Sequence, residues 1–510
     1  MSKNFYISTA IFYTNGSPHI GHAYEMVAAD VIARFKRLDG FNVFFLTGTD
    51  EHGLKVQKKA DELNIKPLEF VNKISKEFLN LSSLLNCSND DFIRTTEERH
   101  KINVDALWKM LDKNGDIYLD EYSGWYSIRD EAFYAEDELL KDENGDYISP
   151  EGNSVEWINE ESYFFRLSKY EKDLLDLYKK NKDFIKPESR MKEIKNFVST
   201  GLKDISISRK NIKWGIPVPN NVSHIIYVWF DALINYLSAL GWAQNDNSFK
   251  SFWPANIHLV GKDITRFHAV YWPAFLLSAG IKIPETIFSH GFFLNKGEKI
   301  SKSLGNIIDP IELCDFYGVD QLRYYMLSTT PFGNDGIYDH ELITKHVNAH
   351  LSNDLGNLSQ RCLIMVKDKC GSKIPEKGKL EERDLDILDS IKGLYEESKE
   401  YMEDYQIHNY LELVFKSISL TNKYFSDEKP WELAKIDVDR MNTVLWVTCE
   451  MLRNFGIILQ PVLVDGSKKL LGLLNIKNQE RQFSNLGDDF AIKIGTKIPD
   501  PEVIFPKMNL

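Results

Sequence analysis

The fold is decided by a stretch near the start of the chain, Ser8-Thr9-Ala10-Ile11-Phe12-Tyr13-Thr14-Asn15-Gly16-Ser17-Pro18-His19-Ile20-Gly21-His22. It follows an apolar segment rich in β-formers, Phe5-Tyr6-Ile7, and it contains several turn-forming residues. A pattern with helical period comes next and is closed by a glycine; its members are Ala28, Val31, Ile32, Phe35 and Gly40. The sequence therefore predicts a strand, a turn and a helix, with His19 and His22 on the first turn of that helix.

The start of a helix that follows a buried strand favours a bound phosphate. Its first backbone N–H groups lack partners, and the helix dipole is positive there. Gly21 lets a flat ring or a phosphate approach the backbone. His19 and His22 share one face and can donate hydrogen bonds to developing negative charge. Taken alone, a His-x-x-His pair is more often a pair of surface residues, so this motif needs support from elsewhere.

The composition is that of a globular protein with several domains. The chain has 510 residues, 43% of them hydrophobic and 27% charged, which predicts two to four domains. A formal net charge of −13 gives no general sign of nucleic-acid binding, so any RNA contact must use local basic patches. Five scattered cysteines argue for a reducing compartment. No leader peptide and no membrane-spanning run is visible, which predicts a cytoplasmic protein without a membrane partner.

A second strand and its turn complete the first structural unit. Residues 42–47 are apolar, and the polar turn Gly48-Thr49-Asp50-Glu51-His52-Gly53 follows them. Strand, helix and strand in this order form a βαβ unit, which implies a parallel sheet with its ligand at the carboxyl ends of the strands. Asp50 is expected there, although an aspartate that only forms the turn or caps a helix explains the sequence equally well.

The predicted secondary structure changes several times along the chain. Residues 54–113 are predicted to be helical, 115–165 to form a small β-rich insertion, and everything after Lys302 to be helical, in an antiparallel bundle. Apolar runs that suit buried parallel strands occur at 225–230, 257–260 and 286–288. Lysines and arginines crowd 186–213; a solvated helix face and a patch that binds phosphate groups explain them equally well.

A second motif lies far downstream, Gly297-Glu298-Lys299-Ile300-Ser301-Lys302-Ser303-Leu304-Gly305-Asn306. Lysines on a flexible loop suit the binding of a triphosphate and the departure of pyrophosphate, although most loops of this kind are simply solvated. The two motifs together resemble the signatures of class I aminoacyl-tRNA synthetases. Within that class the resemblance is to methionyl-tRNA synthetases, and it extends along nearly the whole chain. The matching blocks include residues 10–16, 48–53, 214–219, 227–232, 261–264, 267–268, 272–273, 289–291, 357–361 and 429–431.

The resemblance implies an α/β fold with two functional domains. We expect a doubly wound parallel-sheet (Rossmann-like) catalytic domain with a β-rich insertion, followed by an α-helical bundle that binds the anticodon. The expected boundaries are 1–115 and 224–300 for the halves of the catalytic domain, 116–223 for the insertion and its basic helical return, 301–350 for the signature loop and stem-contact region, and 351–510 for the anticodon-binding domain.

The implied reaction activates L-methionine with ATP and then transfers methionine to tRNA. Attack of the methionine carboxylate on the α-phosphate builds negative charge, which the catalytic residues and Mg²⁺ stabilise without a protein nucleophile. By resemblance the catalytic residues are His19, His22, Lys299 and Lys302. The residues expected to bind ATP are His19, Gly21, His22, Glu25, Gly261, Asp263, Ile300 and Lys302.

The resemblance also assigns the amino acid and the RNA. Asp50 would bind the substrate ammonium group, and aromatic and aliphatic walls suit a polarizable thioether. The expected methionine-binding residues are Ile11, Tyr13, Asp50, Trp229, Ala232, Leu233, Tyr236 and His290. Asn357 and Arg361 lie four residues apart and carry groups that can read a base edge, and Trp431 after Pro430 suits stacking on an unpaired base. The implied partner is tRNA(Met) with a CAU anticodon.

The chain departs from the family pattern in its insertion. Many methionyl-tRNA synthetases hold zinc there with cysteines, but this chain has no Cys between Cys87 and Cys314 and no His between His100 and His224. We therefore expect no zinc, and stoichiometric zinc in the purified protein would contradict this expectation. His340, His346 and His350 are interpreted as ordinary polar helix positions rather than metal ligands. No appended oligonucleotide-binding domain follows, which predicts a monomer.

Three other hypotheses fit less well. Valyl and leucyl enzymes carry a far longer editing insertion, and the cysteinyl type needs a zinc thiolate site. A tRNA-binding paralogue with a decayed site would not keep His19, His22, Asp50, Lys299 and Lys302. A small nucleotidylyltransferase with the same fold would lack the helical C-terminal domain.

Overall fold

The computed structural model describes residues 3–508 except 128, 130, 131, 135, 143, 151, 211, 296, 297 and 300–307. The strands of the described residues are β1 (Asn4–Ser8), β2 (Phe12–Tyr13), β3 (Asn42–Asp50), β4 (Asp91–Arg94), β5 (Ile117–Ser127), β6 (Ala132–Tyr134), β7 (Leu140–Lys141), β8 (Tyr147–Ile148), β9 (Glu156–Phe165), β10 (Ile185–Lys186), β11 (Ile205–Ser206), β12 (Ser208–Arg209), β13 (Pro217–Val218), β14 (Asn221–Ile226), β15 (Ile257–Gly261), β16 (Thr286–His290), β17 (Phe293–Asn295), β18 (Glu298–Lys299) and β19 (Gly336–Tyr338).

Helices connect these strands and make up most of the chain after residue 309. They are α1 (Ile20–Leu38), α2 (Leu54–Glu62), α3 (Pro67–Leu84), α4 (Glu98–Lys113), α5 (Glu171–Lys180), α6 (Glu188–Ser199), α7 (Val228–Leu233), α8 (Asn235–Ser238), α9 (Asn247–Phe252), α10 (Trp272–Ala279), α11 (Pro310–Tyr317), α12 (Val319–Ser328), α13 (His340–Val347), α14 (Asn357–Lys369), α15 (Glu382–Asp389), α16 (Leu394–Glu403), α17 (Ile407–Glu428), α18 (Pro430–Ile436), α19 (Val438–Ile458) and α20 (Val464–Leu473).

A seven-stranded sheet forms the centre of the catalytic domain. Its strand order is β10-β16-β15-β1-β3-β2, with β4 also paired to β3. Every pairing in it is parallel; Ile7 of β1, for example, lies opposite Phe45 on one side and Ile257 on the other. The predicted βαβ unit and the strands at 257–260 and 286–288 are confirmed. Strand β4 interrupts the region that we predicted to be wholly helical.

Helix α1 crosses behind this sheet, and its start is defined by the two signature histidines. The four residues that the helical pattern picks out are all buried. His19 is the N-cap, and His22 completes a reciprocal capping box with it. The helix ends before Gly40, whose φ of 86° suits glycine.

The prediction of a parallel strand at 225–230 is wrong. The chain leaves β14 at Ile226 and turns into α7 at Val228, and β14 belongs to a separate antiparallel sheet, β12-β14-β13. Most of this segment is buried, so its apolar run has no polar face that could reveal the change of period. A short apolar run cannot by itself distinguish a buried strand from a buried helical turn.

The insertion is β-rich, as predicted. Its long strands β5 and β9 pair antiparallel along their length, in the order β11-β9-β5-β6. The basic stretch at 186–213 is only partly exposed. Arg209 is buried, bonded to Glu160 at 2.8 Å, and placed 4.0 Å from the ring centre of Tyr126, whereas Lys192 on α6 is exposed.

The helical bundle packs against the catalytic domain through a buried arginine. Arg323 on α12 donates to Asp30 of α1 at 2.7 Å, to the carbonyl of Leu85 at 2.9 Å, and to the carbonyls of Pro461 and Val462. These bonds join the signature helix to the loop between α19 and α20. The position of the bundle is therefore fixed relative to the start of the catalytic domain.

The five cysteines are free thiols. Among the described helices, none is both long enough and apolar enough to cross a membrane.

Candidate functional site

A cleft of about 1460 Å³ opens where the parallel strands end. Ala10 follows β1, Asp50 ends β3, and Gly261 and His290 end β15 and β16; all four line the cleft. The structure thus brings together, as lining residues of this one cleft, most of the residues that the sequence suggested for ATP and methionine. They are Ile11, Tyr13, His19, Gly21, His22, Glu25, Asp50, Trp229, Ala232, Leu233, Tyr236, Gly261, Asp263 and His290.

The signature histidines are held by the backbone of their own turn. Nδ1 of His19 accepts from the Gly21 N–H at 3.1 Å, and Nδ1 of His22 accepts from the His19 N–H at 3.1 Å. Since each Nδ1 accepts, each ring carries its proton on Nε2. The rings stack with centroids 3.8 Å apart. A Cβ on Gly21 would lie 3.0 Å from the His19 ring, so glycine here makes room for the cap.

Glu25 and His290 form a buried pair across the floor of the cleft. Glu25 accepts from the Ala10 N–H at 2.7 Å, and its second oxygen lies 3.0 Å from Nε2 of His290. Nδ1 of His290 lies 2.7 Å from the carbonyl oxygen of Gly291. Burial lowers the pKa of His290, but the bond and charge of Glu25 outweigh burial and raise that pKa above its ordinary value. Both nitrogens of His290 are therefore engaged by the protein.

Gly261 and Asp263 occupy the end of β15. A Cβ on Gly261 would lie 2.7 Å from Oδ1 of Asp263, so the glycine lets that carboxylate fold back over the strand end. Asp263 is exposed in the cleft. Its neighbour Lys262 is tied away from it, bonded to both oxygens of Asp335 at 2.7 and 2.8 Å.

One acidic residue ends β3 and a second follows it directly, and the structure gives them different surroundings. Asp50 is 7% exposed and lines the cleft. Glu51 is fully buried and accepts from Arg94 at 2.6 and 3.0 Å and from Thr49 at 2.8 Å. Glu51 therefore fixes the turn, and Asp50 faces the cleft. The sequence alone left Asp50 undecided between these two roles.

Aromatic residues form another part of the cleft wall. Trp229 stacks on Phe267 with centroids 3.8 Å apart and planes inclined by 6°. Nε2 of His268 lies 2.8 Å from the hydroxyl oxygen of Tyr236, and Nδ1 lies 3.0 Å from the carbonyl of Ile264. Because that carbonyl can only accept, Nδ1 donates and Nε2 accepts from Tyr236. Burial lowers the pKa of His268 to about 4, so the ring is neutral at pH 7.

Sequence reasoning gave no role to Phe267 and His268. Both line the cleft. Their only signal was a position in a matching block, because an aromatic residue next to a histidine has no spacing that marks a pocket.

The second signature is only partly described. Lys299 belongs to strand β18, which pairs antiparallel with β17 beside the cleft residue Phe293. Ile300 and Lys302 lie outside the described residues.

The three residues suggested for anticodon recognition lie together on the helical domain. Arg361 on α14 is placed 5.1 Å from the ring centres of both Phe425 and Trp431. Trp431 is 40% exposed at the start of α18, and Asn357 is exposed one turn before Arg361. Phe425 is buried beneath them. A cation and an exposed aromatic ring thus share one surface with an amide, a combination that suits unpaired bases.

In the part of the chain that the structure describes, three or more His, Cys, Asp or Glu side chains do not gather into a metal-binding group. His346 lies 2.8 Å from the Ser328 hydroxyl, and His350 lies 2.6 Å from that of Tyr324. The absence of zinc stays a prediction.

A parallel sheet with a His-Ile-Gly-His helix start at its carboxyl edge, a cleft with aromatic walls beside it and a helical domain after it define a class I aminoacyl-tRNA synthetase. Family models agree: "tRNA synthetases class I (M)" matches residues 5–363, and "Anticodon binding domain of methionyl tRNA ligase" matches residues 374–509.

Known proteins resemble the chain along its length. It is 49% identical to the methionine–tRNA ligase of Brucella suis, over 99% of this chain and 98% of that one, and 48% identical to that of Rickettsia felis, over 100% and 99%. The structure superposes on Mycobacterium tuberculosis methionyl-tRNA synthetase in complex with methionyl-adenylate with a TM-score of 0.97, at 45% identity and covering 99% and 100% of the two chains. The chain belongs to the methionyl-tRNA synthetase family.

Proposed function

We propose how the residues of the cleft and the helical domain divide the work of this family's reaction. That reaction activates L-methionine with ATP, forming methionyl-adenylate and pyrophosphate, and then transfers methionine to the 3′ end of tRNA(Met) for initiation and elongation. The observation that carries the proposal is the single cleft in which the His19/His22 helix start, Asp50 and the Trp229–Tyr236 wall meet.

On the nucleotide side, His19 and His22 act as catalytic donors. Each ring has its proton on Nε2, because Nδ1 accepts from the backbone. Two N–H donors and the positive end of α1 stabilise charge that develops on the α-phosphate during attack. Lys299 and Lys302 neutralise the departing pyrophosphate, and Ile300 is expected to bind ATP. Gly21, Glu25, Gly261 and Asp263 hold the adenosine.

On the amino-acid side, Asp50 binds the substrate ammonium group. The support is its burial at the cleft wall, where a charge-assisted bond is stronger than in water. Ile11, Tyr13, Ala232 and Leu233 complete the pocket around the side chain.

Tyr236 and Trp229 face the methionine thioether. The Tyr236 hydroxyl donates to neutral His268, and the Trp229 ring is flattened against Phe267, so both walls are held before substrate arrives. A pocket of this kind rejects an amino acid with one methylene fewer by roughly 10–200-fold. His290, bonded to Glu25, sits where the pocket meets the nucleotide side.

On the helical domain, Asn357, Arg361 and Trp431 read a CAU anticodon. The support is their common surface, on which the Arg361 guanidinium lies 5.1 Å from the centres of two adjacent rings. Mg²⁺ enters with ATP, because this ion keeps several waters and binds mainly through substrate phosphates. We expect a monomer in the cytoplasm.

Aminoacylation with two tRNA transcripts tests the proposal. The protein should charge a CAU transcript with methionine, and changing the anticodon to CUA should lower kcat/KM by more than tenfold. Equal charging of both transcripts would contradict the assignment of Asn357, Arg361 and Trp431.

A further inference from the structure

Behind the cleft lies a buried carboxylate that the reaction does not use directly. Asp231 is fully buried, and each of its oxygens binds a histidine: Oδ2 lies 2.6 Å from Nδ1 of His52, and Oδ1 lies 2.7 Å from Nε2 of His100. His100 is also fully buried, and His52 is 4% exposed. None of these three side chains is among the described residues that line the cleft.

The three side chains come from segments far apart in sequence. His52 follows Asp50 by two residues in the turn after β3, Asp231 follows Trp229 by two residues on α7, and His100 belongs to α4. The His52–Asp231 bond spans 179 residues, and the His100–Asp231 bond spans 131. The carboxylate thus ties the wall that carries Asp50 to the wall that carries Trp229.

A second contact holds the His52 side of this cluster. The Trp214 indole N–H donates to the backbone oxygen of Glu51 at 2.5 Å, and its ring lies 5.4 Å from that of His52. The two residues that directly follow Asp50 are therefore both held in place, Glu51 by Trp214 and His52 by Trp214 and Asp231.

Its two histidine partners keep Asp231 ionised although it is buried. Burial alone would raise its pKa, but the two histidines outweigh burial and lower the pKa to about 2. An ionised carboxylate only accepts, so His52 donates from Nδ1 and His100 donates from Nε2. Charge-assisted bonds of this kind are short and directional, which suits a fixed spacing between two walls.

We propose that Asp231 is a positioning residue that sets the distance between Asp50 and the Trp229 wall, and so the affinity for methionine, through its bonds to His52 and His100. The inference rests on the proposed function, since it takes Asp50 and Trp229 as the methionine site. A purely structural anchor would affect stability and leave the relative affinities for methionine and ATP unchanged. Misplacing a binding group by about 1 Å can cost on the order of 100-fold in rate, so a small shift is measurable.

The first test replaces Asp231 in the full chain. Asp231→Asn keeps the shape but puts an amide N–H₂ against one of the two histidine donors. We expect KM for methionine in ATP–pyrophosphate exchange to rise about tenfold or more, with KM for ATP changed less than twofold. Binding of methionine alone, followed by tryptophan fluorescence, should weaken by the same factor.

A pair of variants at His52 keeps the test valid if Asp231→Asn does not fold. His52→Asn places an amide donor near the position of Nδ1, and His52→Leu removes the donor. We expect His52→Leu to raise KM for methionine and His52→Asn to restore most of the affinity. Equal KM values for methionine in the wild type and a folded His52→Leu or Asp231→Asn protein would overturn the proposal.

Glu450→Gln is the matched control. Glu450 is buried and ion-paired to Arg453 in the helical domain, so its replacement also removes a buried charge. It should lower the thermal midpoint without changing KM for methionine; an equal rise of that KM would show a general effect of destabilisation and overturn the proposal. Methionine-dependent exchange by the wild type distinguishes a failure of the positioning proposal from a failure of the proposed function. If the wild type showed no such exchange, the proposed function itself would be rejected.

Discussion

Asp50 and Glu25 are buried at the cleft, where Glu25 is held by a backbone N–H and a histidine, whereas on the helical domain Asn357 and Trp431 are exposed. The difference matches the two kinds of ligand. A small amino acid and a nucleotide need donors and acceptors that are fixed in a dry site before they bind. An RNA loop brings its own flat bases, and an exposed ring next to a cation is enough to stack on them.

The largest effect should come from the cleft. His22→Asn keeps an acceptor for the His19 N–H, so the helix cap survives, but it removes the Nε2 donor. We expect kcat of ATP–pyrophosphate exchange to fall by about 100- to 1000-fold, the usual cost of one donor to a developing anion. The thermal midpoint should stay close to that of the wild type. An Asn variant as active as the wild type would remove His22 from the catalytic residues.

The next effect should be confined to the RNA. Trp431→Ala should lower kcat/KM for tRNA by roughly 5- to 150-fold, because stacking of a base on an aromatic ring is worth about 1–3 kcal/mol. Exchange of pyrophosphate, which needs no tRNA, should not change, and Trp431→Phe should recover part of the loss. If Trp431→Ala slowed exchange and aminoacylation equally, the two regions would not be functionally separate.

A smaller loss is expected at Arg361. Its guanidinium lies 5.1 Å from the centres of two rings, a planar arrangement that lysine cannot reproduce. Arg361→Lys keeps the charge but loses the planar stacking and the paired donors of the guanidinium, and it should lower kcat/KM for tRNA by roughly 2- to 30-fold, a loss of about 0.5–2 kcal/mol. Methionine charging measured with a CAU transcript checks this. An unchanged value would mean that charge alone suffices.

The smallest effect is a pH dependence of stability in the cleft. Glu25 raises the folded pKa of His290 above its ordinary value, so the stabilisation from this pair is complete below the unfolded pKa of about 6.5. It is lost as pH rises through the higher folded pKa. The thermal midpoint of the wild type should therefore exceed that of His290→Gln most at pH 6 and progressively less toward pH 9. A difference that grows with pH would contradict the pairing.

The sequence predicted the regular parts of the fold well. The βαβ unit and α1 were predictable because apolar residues recur with a clear period and turn formers separate the segments. Helix α7 was not, because a short buried segment has no exposed face to show a helical period. Strand β4 is short and only partly buried, so it left little signal within a helical region.

The site was predictable only where a residue has a motif of its own. The turn and the helix start in the sequence mark His19 and His22, and the structure adds which nitrogen carries each proton. The structural role of Glu51 could not be predicted, because its partner Arg94 lies 43 residues away in sequence. The His52–Asp231 pair spans 179 residues, and no local pattern connects such residues.

The central claim is that one cleft activates methionine with ATP. It is tested most directly by ATP–pyrophosphate exchange measured with each of the twenty amino acids in turn. Exchange should be fast with methionine and should fall by at least tenfold with every other amino acid. No exchange with any of them, or faster exchange with an amino acid other than methionine, would contradict the account.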